Sequence, residues 1–184
     1  MPNLPPLQIF IQKLVKSIKI KRDLSDKALD FIHTILLRLI DELSATIEIL
    51  VSSQQRKTIL ATDVNNSVQI TLVGNLLQNA HKAGLAVIAQ EESNIPTKEK
   101  HGLILPPSRL RTYLHTYLPN FRISKKSLIY LSGVLEYFLI KLLRISGQEA
   151  VHYAHKTIEK SDVVSAIRKH SEMKKSLCRL SLDT

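Results

Sequence analysis

Two stretches of this chain carry the same small set of side chains at the same spacing. One reads Arg56-Lys57-Thr58-Ile59 with Asp63-Val64 behind it; the other reads His155-Lys156-Thr157-Ile158 with Asp162-Val163. Neither pairs a nucleophile with a base, and no phosphate loop, paired-carboxylate arrangement or metal-ligand spacing occurs elsewhere. No catalytic residue, metal or cofactor is therefore expected. Cations, hydroxyls and loop N–H groups beside a helix start suit another task, the holding of phosphate oxygens, with Lys and Arg releasing the counterions of a polyanion. The plainer alternatives are an exposed Arg56–Asp63 ion pair and a solvated His155; a His155–Asp162 pair would add pH sensitivity.

The two stretches lie 99 residues apart, and the offset reaches well beyond them. It lines up Leu24-Ser25-Asp26-Lys27 with Ile123-Ser124-Lys125-Lys126, and Ile11, Leu14, Val15 and Ile18 with Leu110, Tyr113, Leu114 and Tyr117. A fixed offset without a gap marks one structural unit written twice. Two copies are too few for a solenoid and suit a pair of similar units packed together.

Helices must position these loops. Behind Pro5-Pro6 the spacing predicts a short amphipathic helix over Leu7–Ile18, then a basic loop from Lys19 to Asp23, with Ser25 as N-cap of the next helix. Leu29, Ile32, Leu36, Leu39/Ile40, Leu43, Ile47 and Leu50 recur every three or four residues, one stripe on a helix of about seven turns. After the Arg56 loop, Thr62 is expected to cap a short third helix through Val64, Val68 and Leu72, with Gly74 stopping it and a fourth helix over Asn75–Gln90. Glu91–Gly102 is polar, contains Pro96 and lacks an apolar period, so it reads as a linker.

The cycle then repeats, with a short helix over Ser108–Leu118 and Ser124 capping a second long helix that carries Leu128, Leu131, Leu135, Phe138/Leu139 and Leu142. Gly147 sits inside that helix at a cost of about 1 kcal/mol relative to Ala. Ser161 is expected to cap a short helix through Val163 and Ile167, followed by a tail with Met173 and Leu177. One long helix cannot bury its stripe beside two short ones; two copies crossing at their long helices can. The fold class is all-α, with residues 1–90 as the first copy, 91–102 as the linker and 103–184 as the second.

Composition agrees. The chain is 44% apolar with only 5% aromatic residues, no Trp and five Gly, which leaves few tight turns for an all-β fold. Tyr113, Tyr117, Tyr130, Tyr137 and Phe138 read as core. Net charge is +10 and the pI near 9.8, pointing to a polyanionic partner. Residues 1–90 carry +3 of this and residues 91–184 carry +7. A lone Cys178 forms no internal disulfide and suits a reducing compartment. No apolar run reaches the roughly 20 residues of a membrane span, and Met1–Gln12 lacks the charged start of a signal peptide. A soluble protein is expected, inside a cell or a particle, with no membrane and no small-molecule substrate.

Helix, loop, long helix, loop, helix, with a basic K-T-I loop and an Asp a few residues on, resembles the histone fold. Phe10-Ile-Gln-Lys-Leu-Val-Lys, Leu24-Ser-Asp-Lys-Ala-Leu, Arg56-Lys-Thr-Ile and the Leu72-Val-Gly-Asn-Leu stretch leading to Asn79-Ala-His are similar to histone 2B. Gly102-Leu-Ile-Leu-Pro-Pro-Ser-Arg109, Val134-Leu-Glu-Tyr137, Ser146-Gly-Gln and Ala166-Ile-Arg168 are similar to histone 2A. A fused pair in this order looks like the histone doublets of giant DNA viruses of the marseillevirus type. The resemblance implies a handshake pseudo-heterodimer that packages double-stranded DNA with little sequence preference. Its implied partners are a histone 4–histone 3-like doublet or histones, and a second copy of itself in an octamer-like particle. It also implies viral chromatin, in virion, viral factory or host nucleus.

The implied DNA contacts are Lys21, Arg22 and Ser25 beside Lys156 and Thr157, then Arg122, Lys125 and Lys126 beside Arg56, Lys57 and Thr58, with Arg109 and Arg111 on the 2A-like first helix. Asp63 would orient Arg56 toward a minor groove. Where histone 2A inserts an Arg this chain has Thr157, so the second loop is expected to grip less firmly. Lys125 and Lys126 begin a helix, where cations oppose the macrodipole unless an anion is bound; Lys174 and Lys175 read as a solvated face.

Three departures stand out. Long basic tails are not expected. Of the acidic patch, Glu136 and Glu172 occupy matching positions, while Lys141, Arg144, His170, Ser171, Asn75 and Ala83 fill the others, so proteins that dock an Arg anchor there are not expected to bind. The segment by which histone 2A docks on the histone 3–histone 4 half is also not expected, which predicts a looser particle. Two other readings remain: a histone-fold subunit of a transcription or chromatin complex that acts through protein contacts, and a bare helical scaffold, which the paired basic loops disfavour.

Overall fold

The computed structural model describes residues 7–18, 20, 22–93 and 102–178. Eight helices are described: α1 (Gln8–Ser17), α2 (Asp26–Ser53), α3 (Ala61–Thr71), α4 (Gly74–Glu92), α5 (Pro107–Tyr117), α6 (Lys125–His152), α7 (Lys160–Lys169) and α8 (Ser171–Leu177). Two-residue strands β1 (Thr58–Ile59) and β2 (Arg122–Ile123) sit in the loops. The architecture is all-α, as expected.

The offset of 99 recurs in the structure. Helices α2 and α6 are both 28 residues long, and their starts and ends differ by the offset. They also stop in the same way. Gln55 and Ala154 adopt left-handed φ values of 52° and 57°. The following N–H groups of Arg56 and His155 then turn back to the carbonyls of Val51 and Ala150, at 3.2 and 2.9 Å. This is a Schellman turn, which satisfies the last helical carbonyls and swings the chain sideways. It is what delivers residues 56 and 155 into the loops.

The long helices start on the expected serines: Ser25 Oγ accepts the Ala28 N–H at 3.3 Å and Ser124 Oγ accepts the Ser127 N–H at 3.1 Å. The short helices do not follow expectation. Thr62 and Ser161 lie inside α3 and α7 and cap neither. Asp63 accepts the Leu60 N–H at 2.8 Å and Asp162 accepts the Glu159 N–H at 2.9 Å. A carboxylate at the third helical position reaches back to an orphan donor and also complements the helix dipole.

Three further corrections concern the ends of elements. Gly74, in left-handed backbone at φ 62°, opens α4; α3 has already stopped at Thr71. Glu91 and Glu92 belong to α4 and not to the linker, of which residues 94–101 lie outside the described residues. The expected tail is α8, which buries Met173 and Leu177.

Two compact units each draw on both copies. In the unit of residues 1–39 and 138–184, Ile11 and Leu14 of α1, Ile32 and Leu36 of α2, Leu142 of α6 and Val163 of α7 are buried. In the unit of residues 40–137 the core holds Leu43 and Ile47 of α2, Val64 and Val68 of α3, Leu110 of α5 and Leu131 of α6. There α4 meets α6 backbone to backbone: a Cβ on Gly133 would lie 3.0 Å from the Gly84 Cα, and one on Gly84 only 2.7 Å from the Tyr130 ring. The buried Tyr130 hydroxyl donates to Asn65 Oδ1 at 2.9 Å and lies 2.8 Å from His81 Nδ1. Burial pushes its pKa up to about 12, so it stays a donor.

Candidate nucleic-acid interface

In the second of these units, β1 and β2 run parallel, with Thr58 opposite Arg122 and Ile59 opposite Ile123. The Arg122 N–H donates to the Lys57 carbonyl at 2.8 Å, and the Ser124 N–H and Ser127 hydroxyl both donate to the Ile59 carbonyl. Buried Ile59 anchors this ladder. Its consequence is to gather Lys57, Thr58, Arg122, Lys125 and Lys126, all exposed, at the start of α6. These are the residues expected to share one phosphate site.

Arg56 is held more fully than the sequence suggests. Its fork grips both Asp63 oxygens at 2.6 and 3.0 Å, its remaining N–H groups donate to Gln54 Oε1 and the Thr58 carbonyl, and all five donors are thereby used. Burial pushes the Asp63 carboxyl up, but the Arg56 hydrogen bonds, the Leu60 N–H and the Arg56 charge outweigh it and hold the carboxyl below its ordinary range. The same hydrogen bonds raise the Arg56 guanidinium. Arg56 is thus a fixed brace of the loop, and Gln54 is its exposed side-chain partner.

Lys125 and Lys126 have anions already. They pair with Glu91 and Glu92 at the end of α4, the second pair at 2.7 Å. Both lysines are about two-thirds exposed, so these pairs contribute little to stability. Arg109 and Arg111 are exposed near the start of α5, and neither makes an ion pair among the described residues.

The other unit repeats the backbone ladder with different chemistry. Leu24 bridges Ile158: the Ser25 N–H donates to the Ile158 carbonyl at 3.0 Å and the Ile158 N–H to the Asp23 carbonyl at 2.8 Å. Arg22 and Ser25 are brought beside Lys156 and Thr157, as expected; Lys21 lies outside the described residues. Both hydroxyls, however, face a carboxylate. Thr157 Oγ1 donates to Glu159 Oε1 at 2.7 Å, Ser25 also hydrogen-bonds Glu159, and the two bonds hold that carboxyl below its ordinary range.

His155 Nδ1 lies 2.9 and 3.0 Å from the oxygens of Asp162, which is fully buried and already accepts the Glu159 N–H. With an acceptor on that side, Nδ1 carries a proton and only Nε2 is left to face outward, where Arg56 presents a five-donor fork. Motif reading misses Glu159, yet the repeat marks it: the matching position in the first copy is Leu60. The Glu91 and Glu92 pairs leave no comparable trace in the sequence.

Of the two retained patch acids, Glu136 is turned to backbone: it accepts the Ile104 and Leu105 N–H groups at 2.8 and 3.0 Å, and burial pushes its carboxyl up in spite of them. Tyr113, Tyr130 and Phe138 are buried and Tyr117 and Tyr137 half-buried, in line with a core role. Among the described residues no cluster of His, Cys, Asp and Glu could hold a metal ion, and no helix is long and apolar enough to cross a membrane.

No family model matches the chain. Among solved structures it is similar to the crystal structure of the histone from Methanopyrus kandleri, at a TM-score of 0.58 and 16% identity, covering 95% of this chain and 98% of that one. The fold is the histone fold. The chain is also 31% identical to a histone 2A of Lodderomyces elongisporus over 101 residues, 55% of this chain and 78% of the relative. With a histone 2B of Dictyostelium discoideum it shares 26% identity over 186 residues, covering 90% of this chain and 82% of the relative. The chain belongs to the histone family.

Proposed function

We propose that this histone is a fused 2B–2A doublet of the kind found in giant DNA viruses, and that it packages duplex DNA into nucleosome-like particles with little sequence preference. The observation that carries the reading is the reciprocal ladder. The loop after each copy's long helix is hydrogen-bonded to the loop before the other copy's long helix, Thr58–Ile59 to Arg122–Ile123 and Ile158 to Leu24. That exchange gathers exposed cations beside helix N-termini, where phosphate is held best. Similarity of one chain to relatives named as histone 2B and as histone 2A supports the doublet. The partner in the particle is a histone 4–histone 3-like doublet, with a second copy of this chain, and the site of action is viral chromatin.

A second reading, a histone-fold subunit that acts through protein contacts, is favoured by one feature: Glu159 occupies the Ser25 and Thr157 hydroxyls that a phosphate would use. Affinity for random-sequence duplexes, measured across salt, separates the two. DNA packaging requires steep dependence; about 6–10 phosphate contacts reduce affinity by about 10³–10⁵ between about 50 and 200 mM salt. Affinity that is flat in salt, or confined to one sequence, would favour the second reading.

A further inference from the structure

Beside the Leu24–Ile158 bridge, a groove of about 400 Å³ is lined by Ile20, Arg22, Arg144, Gly147, Gln148 and Val151. Its floor is hydrocarbon. Val151 is 62% exposed on the last turn of α6, and Ile20 lies so close to the same helix that a Cβ on Gly147 would come within 3.3 Å of it. Gly147 therefore has a use that offsets its poor helix propensity: it lets Ile20 approach the α6 backbone and sets the depth of the groove.

Two guanidiniums flank this floor, Arg22 from the loop and Arg144 from α6, and no carboxylate lines it. Neither makes an ion pair among the described residues. Lys141, one turn before Arg144, is exposed as well and extends the positive edge along the helix.

We infer that this groove docks an acidic protein segment that carries an apolar side chain, the apolar group resting on Ile20, Gly147 and Val151 while carboxylates meet Arg22 and Arg144. Duplex DNA would satisfy the two arginines but offers its backbone nothing to place on an exposed valine. An acidic chain with one aromatic or aliphatic anchor satisfies both, and such anchors in small pockets carry most of the energy of docking. This site stands whether or not the loop ladders hold DNA.

The test uses the full chain and a fluorescent peptide of Asp and Glu residues with one central Phe, beside the same peptide with Ser replacing Phe. Arg144→Glu and Val151→Asp are surface changes, and circular dichroism checks that both variants fold. The Phe peptide is expected to bind the parent chain at least about tenfold more tightly than either variant does, and about tenfold more tightly than the Ser peptide binds the parent chain, each factor being about 1.4 kcal/mol. Duplex affinity is expected to change far less in Val151→Asp than peptide affinity does. Equal binding of the two peptides, or unchanged peptide binding in both variants, overturns the site. Loss of duplex binding in Arg144→Glu without loss of peptide binding assigns the groove to DNA and overturns it equally.

Discussion

At the β1–β2 ladder the flanking positions hold Arg56, Lys57, Arg122, Lys125 and Lys126, with Leu60 and Asp63; at the Leu24–Ile158 ladder the matching positions hold His155, Lys156, Asp23, Asp26 and Lys27, with Glu159 and Asp162. With His155 neutral, the first set carries +4 and the second −2. Setting Glu91 and Glu92 against the first and adding Arg22 to the second narrows this to +2 against −1. One backbone bond recurs in both whatever the neighbouring charges, from the Ser124 N–H to the Ile59 carbonyl and from the Ser25 N–H to the Ile158 carbonyl. Similar loop closures thus carry different charges. Closing the loops does not require the cations, and under the proposed DNA-binding role the β1–β2 ladder is the stronger anion site.

The largest way to break the comparison is at the two buried acids. Asp63→Ala strands a guanidinium and the Leu60 N–H and is expected to cost about 2–4 kcal/mol in urea unfolding. Asp162→Ala strands the Glu159 N–H and the His155 Nδ1–H, at about 1–3 kcal/mol. A larger loss at Asp162 would reverse the assignment of Arg56 as the firmer brace.

For DNA, replacing Lys57, Arg122 and Lys126 together by Ala is expected to lower duplex affinity about 30–100-fold near 0.1 M salt and to flatten the salt slope by about 3. Removing Lys27, Arg22 and Lys156 is expected to cost less than about tenfold. Equal losses would show that the two ladders grip alike.

The weaker ladder can also be strengthened. Glu159→Leu, which imports the first-copy residue, frees the Ser25 and Thr157 hydroxyls and removes a negative charge, for a gain of about three- to tenfold in duplex affinity. His155→Arg restores a permanent cation with donors on its outer face and is expected to add a few-fold more.

The smallest expected effect is on acid unfolding. Asp63 and Glu149 are held below their ordinary range, Glu149 first by its hydrogen bond to Lys169. Groups with depressed native pKa values contribute stability that is present above their unfolded values of about 4 and is lost as pH falls through the folded ones. Arg56→Gln releases Asp63 and moves the acid midpoint upward by a few tenths of a pH unit; Lys169→Gln releases Glu149 and moves it less, because Lys169 is half exposed.

Much of this is legible in the sequence because it repeats. Helix spans follow from apolar spacing, and Ser25 and Ser124 are recognisable as caps because hydroxyl N-caps are local chemistry. The meeting of opposite loops follows from the histone resemblance and not from the spacing. The caps of α3 and α7 mislead because Thr62 and Ser161 have the usual capping side chains, whereas the acids one residue later reach back to the preceding N–H. Helix α8 reads as a tail because seven residues are too few to show a period. The Glu91 and Glu92 pairs join residues 34 apart, and no local pattern encodes such a contact. Glu159 is open to view as a break in the repeat, and its charge matters only once the ladder places it beside Ser25.

Nuclease digestion of random-sequence DNA decides whether, as we propose, two histone copies in one chain wrap duplex DNA with partner histones. A discrete protected length is expected only when a histone 3–histone 4-like partner is present, and it is expected to weaken in the Lys57, Arg122, Lys126 triple variant. A smear with and without the partner would contradict it and leave a protein that coats DNA or binds other proteins through the same fold.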